Sequence, residues 1–242
     1  MSNQIHNHVL VIGGSHGISL ELVRILSARD CQITAISRSQ GELADDDLSG
    51  KGIRHIECDV VNGDLSKIEL PNSLTGFVYC PGSIRLGPVK SAKPELLRED
   101  FELNVVGAMK CFQAAIPALR QSGSGSAVFF STVAVNHGIA MHSYVAAAKG
   151  ALQALAKTWA AELAPKIRVN CIAPALTETP LSANLLSTDE KKKTMAEKYP
   201  MGRYGTANDI AEMAAFLLSQ RSRWITGQTI GVDGGMSGIV PL

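Results

Sequence analysis

Hydrophobic positions follow two alternating patterns along the chain. Short runs of apolar and β-branched residues, the first from Val9 to Ile12, indicate buried strands. Between these runs, apolar residues recur at helical spacing, as Ile18, Leu22 and Ile25 do after the first one. Strand and helix alternate about seven times, which predicts an α/β fold with a doubly wound parallel sheet and helices on both faces.

The same pattern gives the bounds of the predicted elements. Strands are predicted at Val9–Ile12, Gln32–Ile36, Ile53–Cys58, Leu74–Cys80, Ala127–Phe130, Ile167–Ile172 and Gln228–Val232, and helices at Pro94–Arg120, Ser143–Leu163 and Asn208–Leu218. The polar, lysine-rich segment from Ser182 to Tyr199 fits either a lid over a site or a plain surface helix. Because no stretch resembles a linker, residues 1–242 are predicted to form a single domain.

A glycine turn joins the first strand to the first helix. Gly13 allows the turn, and Gly17 lets the backbone come close to a phosphate. Backbone N–H groups and a helix N-terminus then point at one place, where a nucleotide pyrophosphate can bind, although a purely structural turn needs glycines as well. Arg38 follows the second strand, where an arginine suits the 2′-phosphate of NADP; the alternative is a solvated arginine.

Composition narrows the classes of partner. The net charge is +1 and no basic block occurs, which argues against a nucleic-acid partner and favours a small molecule. With no signal-peptide pattern and no apolar run of membrane length, we expect a soluble, cytoplasmic protein without a membrane partner. The five cysteines suit reduced thiols, and neither cysteines nor histidines have the spacing of a metal site.

Several motifs occur together. They are Ile12–Ser19 with its glycines, Asp59-Val60, Gly82 in a Tyr79–Gly82 turn, Asn104 with Gly107, Asn170–Pro174 followed by Thr179, Pro200–Gly205, Asp209–Ala211 and Ile225–Gly235. Together they resemble the classical short-chain dehydrogenase/reductase family over essentially the whole chain. The resemblance implies a Rossmann fold and a homodimer or homotetramer. It also implies that a hydride is transferred between a nicotinamide cofactor and a small carbonyl or alcohol substrate. The cofactor would be NADP, or less favourably NAD. The alanine-rich helix from Ser143 would be part of that interface.

The resemblance also implies a set of cofactor-binding residues. They are Gly13, Ser15, His16, Gly17, Ile18, Arg38, Asp59, Val60, Cys80, Gly82, Lys149, Pro174, Thr177 and Thr179. In the family a lysine holds the nicotinamide ribose, and an asparagine anchors a water molecule beside it. Lys149 and Asn104 match these two positions.

This chain departs from the catalytic motif of the family at one position. The family's tyrosine and lysine are spaced Y-x-x-x-K, but counting back four residues from Lys149 gives Val145, and Tyr144 is one residue too early. Successive residues of a helix are rotated by about 100°, which would aim Tyr144 away from the site. Tyr144 then either reaches the site because the start of the helix is loosely held, or packs in a subunit interface. The family serine, thirteen residues before the tyrosine, falls on Thr132 counted from Val145 or on Ser131 counted from Tyr144.

Two functions are therefore compatible with the sequence. The first is an NADP-dependent oxidoreductase that reduces a carbonyl, of the 3-oxoacyl reductase type, with Tyr144 or water as the proton donor. The second is a nucleotide-binding sensor or scaffold that keeps the fold with little or no turnover. We favour the enzyme because Asn104, Lys149 and a hydroxyl at Ser131 or Thr132 are all present.

Overall fold

Strands and helices alternate along the chain in the computed structural model, which describes residues 7–48 and 50–239. The strands are β1 (His8–Ile12), β2 (Gln32–Ser37), β3 (Ile53–Glu57), β4 (Gly76–Tyr79), β5 (Gly125–Phe130), β6 (Ile167–Pro174), β7 (Thr177–Glu178), β8 (Gly205–Thr206) and β9 (Thr229–Val232). The α-helices are α1 (Gly17–Ser27), α2 (Pro94–Phe101), α3 (Gly107–Gln121), α4 (Ser143–Leu163), α5 (Asp189–Ala196) and α6 (Ala207–Leu218).

Seven of the strands form one sheet in the order β3-β2-β1-β4-β5-β6-β9. Every pairing in it is parallel. The predicted doubly wound Rossmann fold is thus confirmed for the described residues as a single domain; residues 1–6, 49 and 240–242 of the predicted range lie outside them. Strand order reverses between β1 and β4, so a crevice forms outside the carboxyl ends of these two strands.

Side chains alternate between the two faces of the sheet. In β1, Val9 and Val11 pack with Leu22 in the core between the sheet and helices α1 and α6. Leu10 and Ile12 join Phe77 in the core on the other face, beneath α3 and α4. Both faces are therefore covered, which explains why the strands read as continuous apolar runs rather than alternating ones.

The predicted helix Pro94–Arg120 is interrupted. Between α2 and α3, residues Glu102–Val106 form a π-helical turn that contains Asn104. The Tyr79 hydroxyl donates a hydrogen bond to the Leu103 carbonyl at 2.5 Å. A Cβ on Gly107 would lie 2.6 Å from that hydroxyl oxygen, so only glycine fits there. Helical periodicity alone could not reveal this turn, because it depends on a tyrosine from β4.

The segment after β6 is more ordered than a simple loop. β7 pairs in parallel with β8, which ties the residues after Pro174 to the start of α6. The lysine-rich segment Ser182–Tyr199 contains the end of a 3-10 helix, Pro180–Leu186, and the short helix α5. No helix within residues 7–48 and 50–239 is long and apolar enough to cross a membrane.

Candidate active site

A cavity of about 810 Å³ lies at the carboxyl ends of the parallel strands. Residues directly after β1, β3 and β4 line it, as do Phe130 at the end of β5 and Pro174 at the end of β6. Residues of the 3-10 helix Pro180–Leu186 and Met195 of α5 also line it. This edge is where doubly wound sheets bind ligands.

Most of the residues predicted for the site line this one cavity. They are Gly13, Ser15, His16, Gly17, Ile18, Arg38, Asp59, Val60, Cys80, Gly82, Ser131, Thr132, Lys149, Pro174, Thr177 and Thr179. Asn104 and Tyr144 do not line it. Asn104 lies one layer behind, whereas Tyr144 points elsewhere, and the two need separate accounts.

The turn after β1 has the geometry that a dinucleotide requires. Gly13 has φ +81°, and a Cβ there would lie 3.1 Å from Pro81 Cδ. The Ser19 hydroxyl donates to the carbonyl oxygens of Gly13 and His16, which fixes the turn against the start of α1. The first N–H groups of that helix lack intrahelical partners and face the cavity end where Gly17 lies, so a pyrophosphate fits there.

The far end of the cavity carries groups suited to an adenosine moiety. Arg38 follows β2 with an exposed side chain, and His16 lies nearby with its Nδ1 2.9 Å from the Ser15 hydroxyl. The Asp59 carboxylate accepts hydrogen bonds from the Val61 N–H at 2.9 Å and the Asn62 side chain at 3.1 Å. These bonds lower the pKa of Asp59, the backbone bond from Val61 first.

Asn104 and Lys149 meet behind Gly82. A Cβ on Gly82 would lie 3.3 Å from Lys149 Nζ and 3.5 Å from Asn104 Oδ1, so Gly82 keeps both groups within reach of the cavity. Asn104 Nδ2 donates to the Asp100 carbonyl at 2.8 Å, which turns Oδ1 toward the lysine. That oxygen is buried and has no partner among the described residues. Such an orphaned acceptor is typical of a site built to hold a ligand or a water molecule.

Lys149 is a buried base with weak protein contacts. Its side chain is almost inaccessible, and Nζ donates to the Pro81 carbonyl at 3.5 Å. Burial lowers the pKa of Lys149 to about 8, because the charged ammonium loses solvation. A lysine held in this way has free donors for the hydroxyl groups of a ribose.

The two candidate hydroxyls after β5 differ in their bonds. Ser131 is buried, accepts from Gln153 Nε2 at 2.7 Å and donates to the Lys149 carbonyl at 3.4 Å. The Thr132 hydroxyl oxygen accepts from the Ala134 N–H at 3.2 Å and caps a 3-10 helix, Val133–Val135. The Thr132 proton therefore stays available to a ligand, whereas the Ser131 proton already has an acceptor.

Tyr144 does not reach the cavity. Its ring is buried inside the chain, and its hydroxyl oxygen accepts a hydrogen bond from the Lys93 N–H at 2.5 Å, at the start of α2. The rotation of about 100° per residue on α4 carries the ring away from the cleft, and the start of the helix is not loose enough to offset it. This internal bond argues against a catalytic role for Tyr144, which stays a prediction, as does its packing in a subunit interface.

The residue that does face the cavity from the tyrosine position is Val145. It lines the cavity together with Lys149 one turn further along α4. His142, which caps the same helix, also lines the cavity and escaped the sequence interpretation. Its spacing from Val145 and Lys149, three and seven residues, was the available signal.

Part of the cavity lining is apolar. It includes Ile84, Leu86, Ile139, Leu181, Leu185 and Met236. No group of three or more histidine, cysteine or carboxylate side chains in residues 7–48 and 50–239 has a metal-binding arrangement. The cavity thus combines the polar groups around the glycine turn with an apolar lining.

Comparisons with known proteins extend over nearly the whole chain. Residues 13–237 match the family model described as enoyl-(acyl carrier protein) reductase. A tropinone reductase homolog of Arabidopsis thaliana is 34% identical, covering 95% of this chain and 92% of its own length. The 2-(S)-hydroxypropyl-CoM dehydrogenase 3 of Xanthobacter autotrophicus is 32% identical, covering 99% and 100%. The structure of a short-chain type dehydrogenase/reductase from Mycobacterium ulcerans matches with a TM-score of 0.82 at 30% identity, covering 96% of this chain and 90% of that one.

Proposed function

We propose that this chain, which belongs to the short-chain dehydrogenase/reductase family of oxidoreductases, reduces a small-molecule carbonyl to an alcohol with NADPH. One observation carries the proposal: Lys149, Thr132 and the glycine turn after β1 line a single cavity, with Asn104 Oδ1 unpaired just behind it. A chain that had lost nucleotide binding would not need an orphaned acceptor beside a buried lysine.

The residues divide the work between the two ends of the cavity. The glycine turn and the N-terminus of α1 hold the pyrophosphate, and Lys149 donates hydrogen bonds to the nicotinamide ribose. Thr177 and Thr179, which line the cavity after β6, would contact the carboxamide. When bound, the reduced nicotinamide supplies a hydride to the carbonyl carbon. The Thr132 hydroxyl donates a hydrogen bond to the carbonyl oxygen, where negative charge develops.

The preference for NADPH over NADH rests on Arg38 and His16. A guanidinium binds a phosphate through two parallel hydrogen bonds, and the exposed side chain of Arg38 follows the strand that reads the adenosine ribose. His16 lies across the turn from it. No carboxylate directly follows Arg38 to accept bonds from a free 2′-hydroxyl, since Ser39 and Gln40 come next.

We propose a 3-oxoacyl thioester as the substrate class. Its acyl chain would lie against the apolar part of the lining, which includes Leu181, Leu185 and Met236. The test is an NADPH oxidation assay with a panel of 3-oxoacyl thioesters and cyclic ketones. We expect turnover that increases with acyl chain length; absence of turnover with every carbonyl at saturating NADPH would reject an oxidoreductase.

The second candidate is a nucleotide-binding protein without turnover. Val145 in the tyrosine position and the internal bond of Tyr144 favour it, because neither side chain can protonate a carbonyl oxygen in the cavity. Calorimetric titration with NADPH separates the alternatives when combined with the assay. Tight binding without turnover would support the sensor or scaffold, and no binding would reject both.

The family relationship also supports a homodimer or homotetramer. Small side chains, Ala147, Ala154 and Ala161, are exposed at intervals of seven residues along α4. Such a stripe allows a second copy of the helix to approach closely across a two-fold axis.

A further inference from the structure

We propose that His142 is the general acid of this protein and does the work of the tyrosine that Val145 replaces. The proposal rests on carbonyl reduction as the proposed function. It concerns a residue outside the family's Y-x-x-x-K motif, and it explains how the cavity can keep its chemistry after that tyrosine is lost.

The position of His142 directly before α4 is the first argument. His142 is the N-cap residue of this helix, and it lines the cavity together with Val145 and Lys149, three and seven residues further along the chain. His142 is half-buried at the cavity wall.

The bond at Nδ1 is the second argument. Nδ1 lies 2.8 Å from the Ala140 carbonyl oxygen. A carbonyl can only accept, so Nδ1 carries the hydrogen and donates it. This bond fixes the ring orientation and leaves Nε2 as the nitrogen that gains and loses a proton, as in catalytic histidines that are oriented by a partner at Nδ1. Nε2 makes no protein hydrogen bond within the described part of the chain.

Four competing proton donors, at Tyr144, Ser131, Lys149 and Thr132, are engaged or unsuited. The Tyr144 hydroxyl is bound at Lys93, and the Ser131 proton points at the Lys149 carbonyl. The Lys149 ammonium lies against the Pro81 carbonyl and faces the ribose position behind Gly82. Thr132 can polarise a carbonyl, but a neutral alcohol is a weak acid. Histidine is the side chain that most often serves as a general acid.

The step balances without a further reactant. The dihydronicotinamide is the reductant, and the carbonyl carbon accepts its hydride. The π electron pair of the C=O bond moves to oxygen, which takes the proton from Nε2. The N–H electron pair stays on the ring, so the imidazolium becomes neutral imidazole and is reprotonated from solvent through the cavity mouth.

The experiment compares His142→Ala with His137→Ala and with the unmodified protein. His137 is exposed in the same connection between β5 and α4 and does not line the cavity, which makes it a matched control. With S-acetoacetyl-N-acetylcysteamine and the carbonyl panel, we expect His142→Ala to lower kcat by about 10² to 10⁴ with little change in KM. Added imidazole should restore part of kcat in His142→Ala and have no effect on His137→Ala.

Two measurements do not depend on turnover. The dissociation constant for NADPH should be the same in both variants, since His142 is not among the residues proposed to bind the dinucleotide. Nitrogen-15 NMR of the histidine rings should show Nδ1 protonated in the neutral form of His142.

The outcomes separate this inference from the proposed function. Full activity of His142→Ala, or a neutral tautomer with hydrogen on Nε2, would overturn the inference and leave the reductase standing. A fall in activity that imidazole does not restore, together with weaker NADPH binding, would show a structural role instead. Unmodified protein that binds NADPH and reduces no carbonyl would overturn both.

Discussion

Replacing Lys149 by methionine should stabilise the protein at neutral pH while removing carbonyl reduction. The lysine side chain is only 6% exposed, and burial lowers its pKa from 10.5 to about 8. Below pH 8 the ammonium is charged in both the folded and the unfolded states, so the folded state alone carries the desolvation penalty. One pKa unit corresponds to about 1.36 kcal/mol, which gives about 3 kcal/mol of lost stability at neutral pH. Methionine has a similar length and no charge, so it should recover most of this free energy.

The dependence on pH tests the origin of the effect. As the pH rises above 8, the folded state releases the Lys149 proton, whereas the unfolded state keeps it up to 10.5. The unfolded state then binds more protons, so the stability of the unmodified protein rises with pH. At a pH of about 9.5 the remaining penalty is about 1.4 kcal/mol. The advantage of Lys149→Met should therefore shrink by roughly 2 kcal/mol between neutral pH and this value.

The assay is thermal or denaturant unfolding of the two proteins at both pH values. For a chain of this size 1 kcal/mol shifts Tm by roughly 2 to 4 °C, so we expect a rise of about 6 to 12 °C at neutral pH. Lys157→Met, an exposed lysine on the same helix, is the control and should change Tm little. If Lys149→Met gave no gain, or a gain that did not vary with pH, the ammonium would have to be solvated or paired in the folded state.

Other predictions address the cofactor, the misplaced tyrosine and the assembly. Arg38→Ala should weaken NADPH binding at least tenfold and leave NADH binding nearly unchanged, by calorimetry; tighter NADH binding by the unmodified protein would contradict the proposed preference. Tyr144→Phe should leave kcat unchanged and lower the free energy of unfolding by about 0.5 to 1.5 kcal/mol through the lost bond to Lys93, and a loss of activity would restore Tyr144 as a catalytic candidate. Val145→Tyr in the His142→Ala background should raise kcat, because a phenol then faces the cavity beside Lys149; no gain would mean that position 145 does not reach the carbonyl. Light scattering at micromolar concentration should show a dimer or tetramer. A monomer would contradict the proposal that the alanine stripe on α4 forms a subunit interface.

The sequence was sufficient for the fold and for gathering most of the candidate cofactor-binding residues around one cavity. Parallel strands end at one edge, so Gly13, Arg38 and Asp59 could be expected together from strand order alone, and they line one cavity. These residues follow strands directly, where the backbone leaves little freedom. Their prediction needed only the positions at which apolar runs stop.

The rest of the site could not be obtained in this way. The direction of Tyr144 depends on the Lys93 N–H, more than fifty residues away in sequence, and no local pattern encodes that bond. His142 precedes the helix, so its orientation depends on the Ala140 carbonyl rather than on periodicity. The apolar wall near Leu181 and Met236 comes from two distant segments. Side chains held by tertiary bonds are the ones that periodicity alone does not predict.

The π-helical turn at Glu102–Val106 has a consequence for insertions and deletions. A π turn contains one more residue than the α turn it replaces, so removing one residue from 102–106 would allow an unbroken α-helix from α2 to α3. The chain would then lose the carbonyl that Tyr79 binds and would turn residue 104 by about 100° away from Lys149. Such a shortened protein would have a more regular helix and a misaligned site. The site therefore depends on the number of residues in this segment as well as on the identity of their side chains.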